Sequence, residues 1–416
     1  MKTVVLDDDP TGTQCATGVL VLLRVDEELL FEALKKYSSI YIQTNSRALD
    51  EETAISLANE IKEKVLSVAR KLGEEVTFIL RGDSTLRGHV FSETSVFTDD
   101  GAPILFLPSY PDVGRTTVDG EHYVKIGNEI FRADQTEFAK DPVFGFSTST
   151  LVNYVREKTD RPPLRIPLSL VRQGIDSVYE FLSSAEKDSV ILPDAQTNAD
   201  IAIIGEAVNR CISQGHKLVV RSAAPLAAML AGVLSEDYLP APLQEGNFKV
   251  LLVAGSHTDG ATRQLELVAK IWGSPTVIDT ELALTNPMLA GDHAVPLLLQ
   301  TLQSHQLATI TTERHRREEH NTLHHGELIM SALIQSVREV APSVDVVVAK
   351  GGITSAEVAR SGLGADSAWV MGQIRPGISV WELRAQSGRA TLFVVVPGNV
   401  GDPDTLVEVL RIVGLR

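Results

Sequence analysis

The chain has 416 residues, 44% hydrophobic and 22% charged, with a formal net charge of −16. That length favours two domains, and the composition is that of an ordinary globular protein. The acidic balance excludes nucleic acid as a general partner, and no apolar run approaches the ~20 residues of a membrane span.

The N-terminus, "MKTVVLDDDP", turns acidic after one short apolar run and does not read as a signal peptide. Cys15 and Cys211 lie far apart without metal-type spacing, which fits a reducing, cytoplasmic setting. Aromatics are 5%, which predicts aliphatic cores. Short β-branched runs at 3–6, 39–43, 76–80, 103–107, 189–192 and 217–220 read as buried strands. Asp50 caps and Gly73 closes a predicted helix over 51–72, and a second helix runs from Asn198 to Gly215. Strand–helix alternation predicts an α/β fold with a mostly parallel sheet flanked by helices.

The stretch 235–249 carries two prolines and little periodicity, and the boundary between domains 1–240 and 248–416 falls there. Beyond it the pattern restarts. Strands are expected at 249–255, 345–352 and 391–398, and a helix over 258–273. Two such sheets predict a cleft between the domains.

Nearly every first-half strand runs into a polar loop, and in parallel sheets ligands bind beyond the carboxyl ends of the strands. These loops offer Asp8, Asp9, Arg47, Arg115, Arg221 and the dense stretch "RGDSTLRG", residues 81–88. Arginine forks beside hydroxyls suit a small carboxylated ligand. The second half differs. "AGSHTDG" (254–260), "GGITSAEVA" (351–359), "MGQIRPG" (371–377) and "PGNVGDPDTL" (397–406) are glycine-rich. Glycines at helix starts let backbone N–H groups approach an anion, so the four together predict a nucleotide or polyphosphate cradle. The spacing of Thr354 and Glu357 puts one helix start near Ser355, and Asp402 with Pro403 marks another. Neither the P-loop pattern nor G-x-G-x-x-G occurs. His315, His320, His324 and His325 are interleaved with Arg and Glu and read as a solvated face, so no metal site is expected.

"DDPTG" (8–12), "DSTLRG" (83–88), "GRTTVDGEHYV" (114–124), "GGITS" (351–355) and "VPGNVG" (396–401), in that order, resemble the four-carbon acid sugar kinases. The resemblance implies ATP-dependent phosphorylation of threonate, erythronate or 3-oxo-tetronate, with Mg²⁺ accompanying ATP and the terminal hydroxyl as acceptor. It implies that Asp8, Arg47, Arg81, Gly82, Asp83, Ser84, Thr85 and Arg87 contact the acid. Ser256, Gly351, Gly352, Thr354, Ser355, Gly398, Asn399, Val400 and Gly401 would contact ATP. Asp83 is the first candidate general base and Asp8 the second, with Arg47 and Arg81 clamping the substrate carboxylate. The sequence departs from the family pattern at Gln14, Thr44 and Asn45, in the substrate half. Rival readings are a nicotinamide-dependent oxidoreductase on a small hydroxy acid and a non-catalytic sugar-acid-binding regulator. Partners implied are small molecules only, with homo-oligomerisation open.

Overall fold

The computed structural model describes residues 1–235, 237–255, 258–314, 323–385, 390–398 and 400–416. The chain divides into two compact units, Met1–Leu234 and Ser235–Arg416. Among the described residues no helix is long and apolar enough to cross a membrane.

The first unit contains strands β1 (Lys2–Asp7), β2 (Val19–Leu22), β3 (Ser39–Gln43), β4 (Val76–Arg81) and β5 (Ile104–Leu107). A small antiparallel meander follows, β6 (Arg115–Val118), β7 (Glu121–Ile126) and β8 (Glu129–Arg132). Strands β9 (Pro163–Ile166), β10 (Val190–Pro193) and β11 (Val219–Ser222) complete the unit. The main sheet runs β2-β3-β1-β4-β11-β5-β10-β9, with every neighbouring pair parallel. Register sets Asp7 level with Gln43 and Arg81, and Ser222 level with Arg81 and Leu107. The carboxyl ends therefore share one edge.

The helix Glu51–Leu72 forms where its caps predict. Asp50 Oδ1 accepts from Thr53 N at 2.9 Å, and Gly73 closes it in the left-handed region. Ala54, Ala58, Ile61, Val65 and Val68 make one apolar stripe, packed with Val4, Leu6 and Leu80 on one sheet face. Further along the same face, over β5 and β10, the expectation of an aliphatic core fails. Phe91, Phe106, Phe146 and Tyr154 pack ring against ring there, with centroids 5.6–6.2 Å apart. A low aromatic fraction says nothing about how the few rings are distributed.

The second unit has β12 (Val250–Ala254), β13 (Thr276–Val277), β14 (Leu307–Thr311), β15 (Val346–Lys350), β16 (Ala365–Arg375), β17 (Ile378–Ala385) and β18 (Ala390–Val396). Its order is β13-β14-β12-β15-β18-β17-β16. The pairs from β13 to β18 are parallel, whereas β17 pairs antiparallel with both β18 and β16. The glycine-rich loop expected at 371–377 is thus mostly strand. Residues 371–375 end β16, and only Pro376–Gly377 turn the hairpin into β17. The helix expected near Ser355 begins earlier, spanning Gly352–Glu357 with Gly351 at its N-cap. The one expected at Asp402 begins later, spanning Thr405–Val413.

Candidate active site

At the carboxyl edge of the first unit, β1 delivers Asp7, Asp8 and Asp9, and β4 delivers Arg81 through Arg87. Asp9 accepts from Thr11 N at 2.7 Å and so caps the short 3₁₀ turn Pro10–Thr13. That turn crosses over Asp7. A β-carbon at Gly12 would collide with the Asp7 carboxylate, so the glycine is fixed by close approach.

Arg81 does not reach the edge. Its side chain is 2% exposed, and Nη1 lies 3.2, 3.1 and 3.0 Å from carboxylate oxygens of Asp7, Asp8 and Asp9. Its Nη2 donates to Thr11 Oγ1 at 3.2 Å. This guanidinium ties the acidic run to β4, and its Nε is buried without a hydrogen-bond partner among the described residues. Arg221 lies beneath the same loop, 3.4 Å from Asp8 Oδ2 and 3.0 Å from Glu93 Oε2. Gly82 donates its N–H to Ser222 O at 2.8 Å, and a β-carbon there would come 2.6 Å from Arg221 Nε. Gly82 is a glycine because Arg221 crosses it.

Asp83 sits where the remaining charges meet. Arg87 Nε donates to its Oδ2 at 2.8 Å, Arg47 Nη1 lies 3.3 Å from the same oxygen, and Thr85 Oγ1 donates to it. Burial raises the Asp83 carboxyl, but Arg87 and then Arg47 outweigh it and hold the group well below the usual carboxylate range. Arg47 also pairs with Asp9 and lies 3.7 Å from Asp8 Oδ2. Asp7 is opposite in character. Burial pushes it up to about 7, against the opposing pull of Arg81. Arg47 and Arg87, 14% and 23% exposed in their side chains, are the arginines of this cluster that are partly exposed. Thr85 is fully buried and its hydroxyl orients Asp83.

The loop is braced from the meander. His122, fully buried on β7, has Nε2 2.8 Å from Ser84 O and Nδ1 3.0 Å from Thr117 Oγ1, which lies 3.1 Å from Ser109 Oγ. Burial lowers its pKa to about 4, so the ring is neutral, and Nε2 is the donor to the Ser84 carbonyl. Tyr154 donates to Leu86 O at 2.8 Å. Arg115, expected among the loop cations, instead donates to the Val113 and Lys125 carbonyls and stiffens the meander. The bond of His122 to the Ser84 carbonyl and the pairing of Arg221 with Asp8 and Glu93 join residues 38 and more positions apart, which spacing does not reveal.

In the second unit the glycine junctions at 255–258, 351–355 and 397–401 follow β12, β15 and β18, three adjacent parallel strands. They are neighbours on one edge. Ser256 and Asn399 lie outside the described residues. Gly351 N donates to Val396 O at 2.8 Å, joining two junctions. Thr354 and Ser355 face inward. Thr354 Oγ1 fills the space where Gly255 would carry a β-carbon, and Ser355 Oγ donates to Gly351 O at 2.7 Å. Thr258 Oγ1 donates to Gly398 O at 3.0 Å, and Gln264 Nε2 to Asp402 O at 2.9 Å. Lys350, absent from the expected residues, donates to Pro397 O at 2.7 Å and Val400 O at 3.3 Å. Its sequence signal was a lysine closing the apolar strand "VVVAK". The described residues contain no cluster of three metal-ligand side chains; His315 and His320 fall outside them.

These two edges define a two-unit α/β protein with a side-chain-rich site in one unit and a backbone-rich site in the other. A family model described as a sugar-binding N-terminal domain matches residues 3–230, and one described as a nucleotide-binding C-terminal domain matches 251–406. The chain belongs to the four-carbon acid sugar kinase family. It is 28% identical over 327 residues to a D-erythronate kinase of Heliobacterium modesticaldum, covering 74% of this chain and 70% of that one. It is 27% identical over 289 residues to a D-threonate kinase of Salmonella typhimurium, covering 68% of this chain and 64% of the relative. Among solved structures, a Salmonella typhimurium protein described as a tRNA synthase superposes with a TM-score of 0.71 at 18% identity, covering 99% of each chain. A Haemophilus influenzae protein gives 0.64 at 17% identity, covering 99% of this chain and 100% of its own. At such identities these two establish the fold alone.

Proposed function

We propose that this protein is an ATP-dependent kinase acting on a hydroxyl, the terminal one, of a four-carbon sugar acid such as erythronate, threonate or 3-oxo-tetronate. The observation that carries the reading is Asp83, a buried carboxylate flanked by two partly exposed arginines, Arg47 and Arg87. The family's domain order and the kinase names of two relatives support it.

Arg47 and Arg87 would bind the acid's carboxylate and polar groups, re-pairing from Asp9 and Asp83 as it enters. All three donors on Asp83 converge on Oδ2. Oδ1 is then the oxygen to which the reacting hydroxyl would bond. A carboxylate held this far down is a weak base. That is tolerable in phosphoryl transfer, where the loose transition state asks for orientation first and takes the proton late. Asp8 stands further in, as a second carboxylate paired with Arg81 and Arg221. ATP would enter with Mg²⁺ as its counter-ion, its phosphates against the backbone of Gly351, Gly352, Gly398, Val400 and Gly401, with Ser256 and Asn399 in the same junctions. Exclusion of water would prevent hydrolysis from competing with transfer.

The test is ADP release with Mg-ATP across a panel of D-erythronate, D-threonate, their enantiomers and 3-oxo-tetronate. Turnover with at least one acid, lost in Asp83→Asn, is expected. No turnover with any acid, alongside tight acid binding, would replace the kinase by a binding protein.

A further inference from the structure

Lys350 ends β15, the central strand of the three that carry the glycine junctions. Its side chain is fully buried, and its ammonium donates to two carbonyls of one loop, Pro397 O at 2.7 Å and Val400 O at 3.3 Å. An apolar residue would fill this core position at less cost, because burying an ammonium is unfavourable unless it is well compensated.

Holding the carbonyls has a directional consequence. In a trans peptide the C=O and the following N–H point in opposite directions. With Pro397 O and Val400 O drawn inward onto the ammonium, the N–H groups of Gly398 and Gly401 are turned away from the interior. Gln264, a neutral donor, also reaches Val400 O at 3.4 Å and Asp402 O at 2.9 Å. The loop is therefore fastened from beneath by one charged and one uncharged tether.

We propose that Lys350 is a positioning residue for the polyphosphate of the nucleotide. Its ammonium fixes the 397–401 loop with the Gly398 and Gly401 N–H groups presented to an anion, and it supplies the positive charge behind them. This rests on the nucleotide reading of the second unit given above. Burial alone pushes the Lys350 pKa down to about 7, so an anion docked on the loop would favour the charged form.

The test compares ATP, ADP and AMP binding by calorimetry in wild type, Lys350→Met and Gln264→Met. Removing the charge behind the loop and releasing its carbonyls is expected to cost about 10- to 100-fold in affinity for a polyphosphate. Lys350→Met is expected to lose that for ATP, less for ADP, and under about threefold for AMP, with acid binding unchanged. Gln264→Met should weaken all three nucleotides by similar, small factors. Should Lys350→Met fail to fold, Lys350→Gln, which keeps a donor without the charge, is expected to show the same ordering. ATP binding unchanged in a folded Lys350 variant, or an equal loss for ATP and AMP, overturns the proposal while leaving the nucleotide reading intact. A wild type that binds none of the three overturns both.

Discussion

The two edges are built in opposite ways. In the first unit Arg47, Arg81, Arg87 and Arg221 interlock with Asp7, Asp8, Asp9, Asp83 and Glu93, so side-chain charges fix one another's positions. In the second the strand ends carry glycines, and a single buried ammonium works on backbone carbonyls. A small acid with several hydroxyls needs directional, distinguishable partners. A polyphosphate needs repeated N–H donors at close range, which glycine backbone provides. On this account the first edge sets which acid is accepted, and the second is indifferent to it.

The sharpest way to break this contrast is Asp83→Asn. It should lower turnover by about 10³-fold, the usual order for a positioned proton acceptor, with ATP affinity unaffected. ADP-release kinetics and ATP titration check both halves. Next in size is Arg47→Lys, which keeps the charge and loses the fork. It should raise the KM for the acid by about tenfold with little change for ATP, by initial-rate kinetics.

Proton linkage separates the units by sign. Folded Asp7 keeps its proton to about 7, whereas the unfolded chain releases it near 3.8. Between those values the native state binds more protons, so this carboxyl makes stability fall as pH rises, by roughly 1 kcal/mol per pH unit. Lys350 runs the other way. The unfolded chain keeps its proton to about 10.5 and the folded one releases it near 7, so its contribution makes stability rise with pH across that window. Trp272, Trp369 and Trp381 all belong to the second unit. Denaturation followed by tryptophan fluorescence should therefore show the rising slope, lost in Lys350→Met. Far-ultraviolet circular dichroism should show the falling slope, lost in Asp7→Asn. The smallest expected effect is that of His122→Gln, which weakens the brace on Ser84. It should raise the acid's KM by about fivefold and leave ATP's unchanged, because small misplacements cost rate without removing a ligand.

Much of the scaffold was legible. Buried parallel strands are uninterrupted apolar runs, so β1, β3, β4, β5, β10 and β11 stood out, and with them the shared edge. β2 and β9 were not expected, and in β9, "PLRI", Pro163 and Arg165 interrupt the apolar run. In the second unit the β16–β17 hairpin was misread because "MGQIRPG" has the composition of a loop, whereas pairing with β17 makes its first part a strand. The site was legible as a list of polar residues but not as layers. Arg81 and Arg47 look alike in sequence. Only the fold shows that the three carboxylates of 7–9 converge on Arg81, while Arg47 keeps an exposed fringe. That the Thr85 hydroxyl turns onto Asp83 is likewise visible only in the fold. Lys350 and His122 act on carbonyls distant in sequence, and spacing carries no trace of such bonds.

The division of labour is tested most directly by titrating ATP and the accepted acid, separately, into folded Arg47→Lys and Lys350→Met. The account predicts a crossed result. Arg47→Lys loses about tenfold for the acid and holds ATP within about twofold, and Lys350→Met loses ATP and holds the acid. Loss of ATP in the first variant, or of the acid in the second, would contradict it.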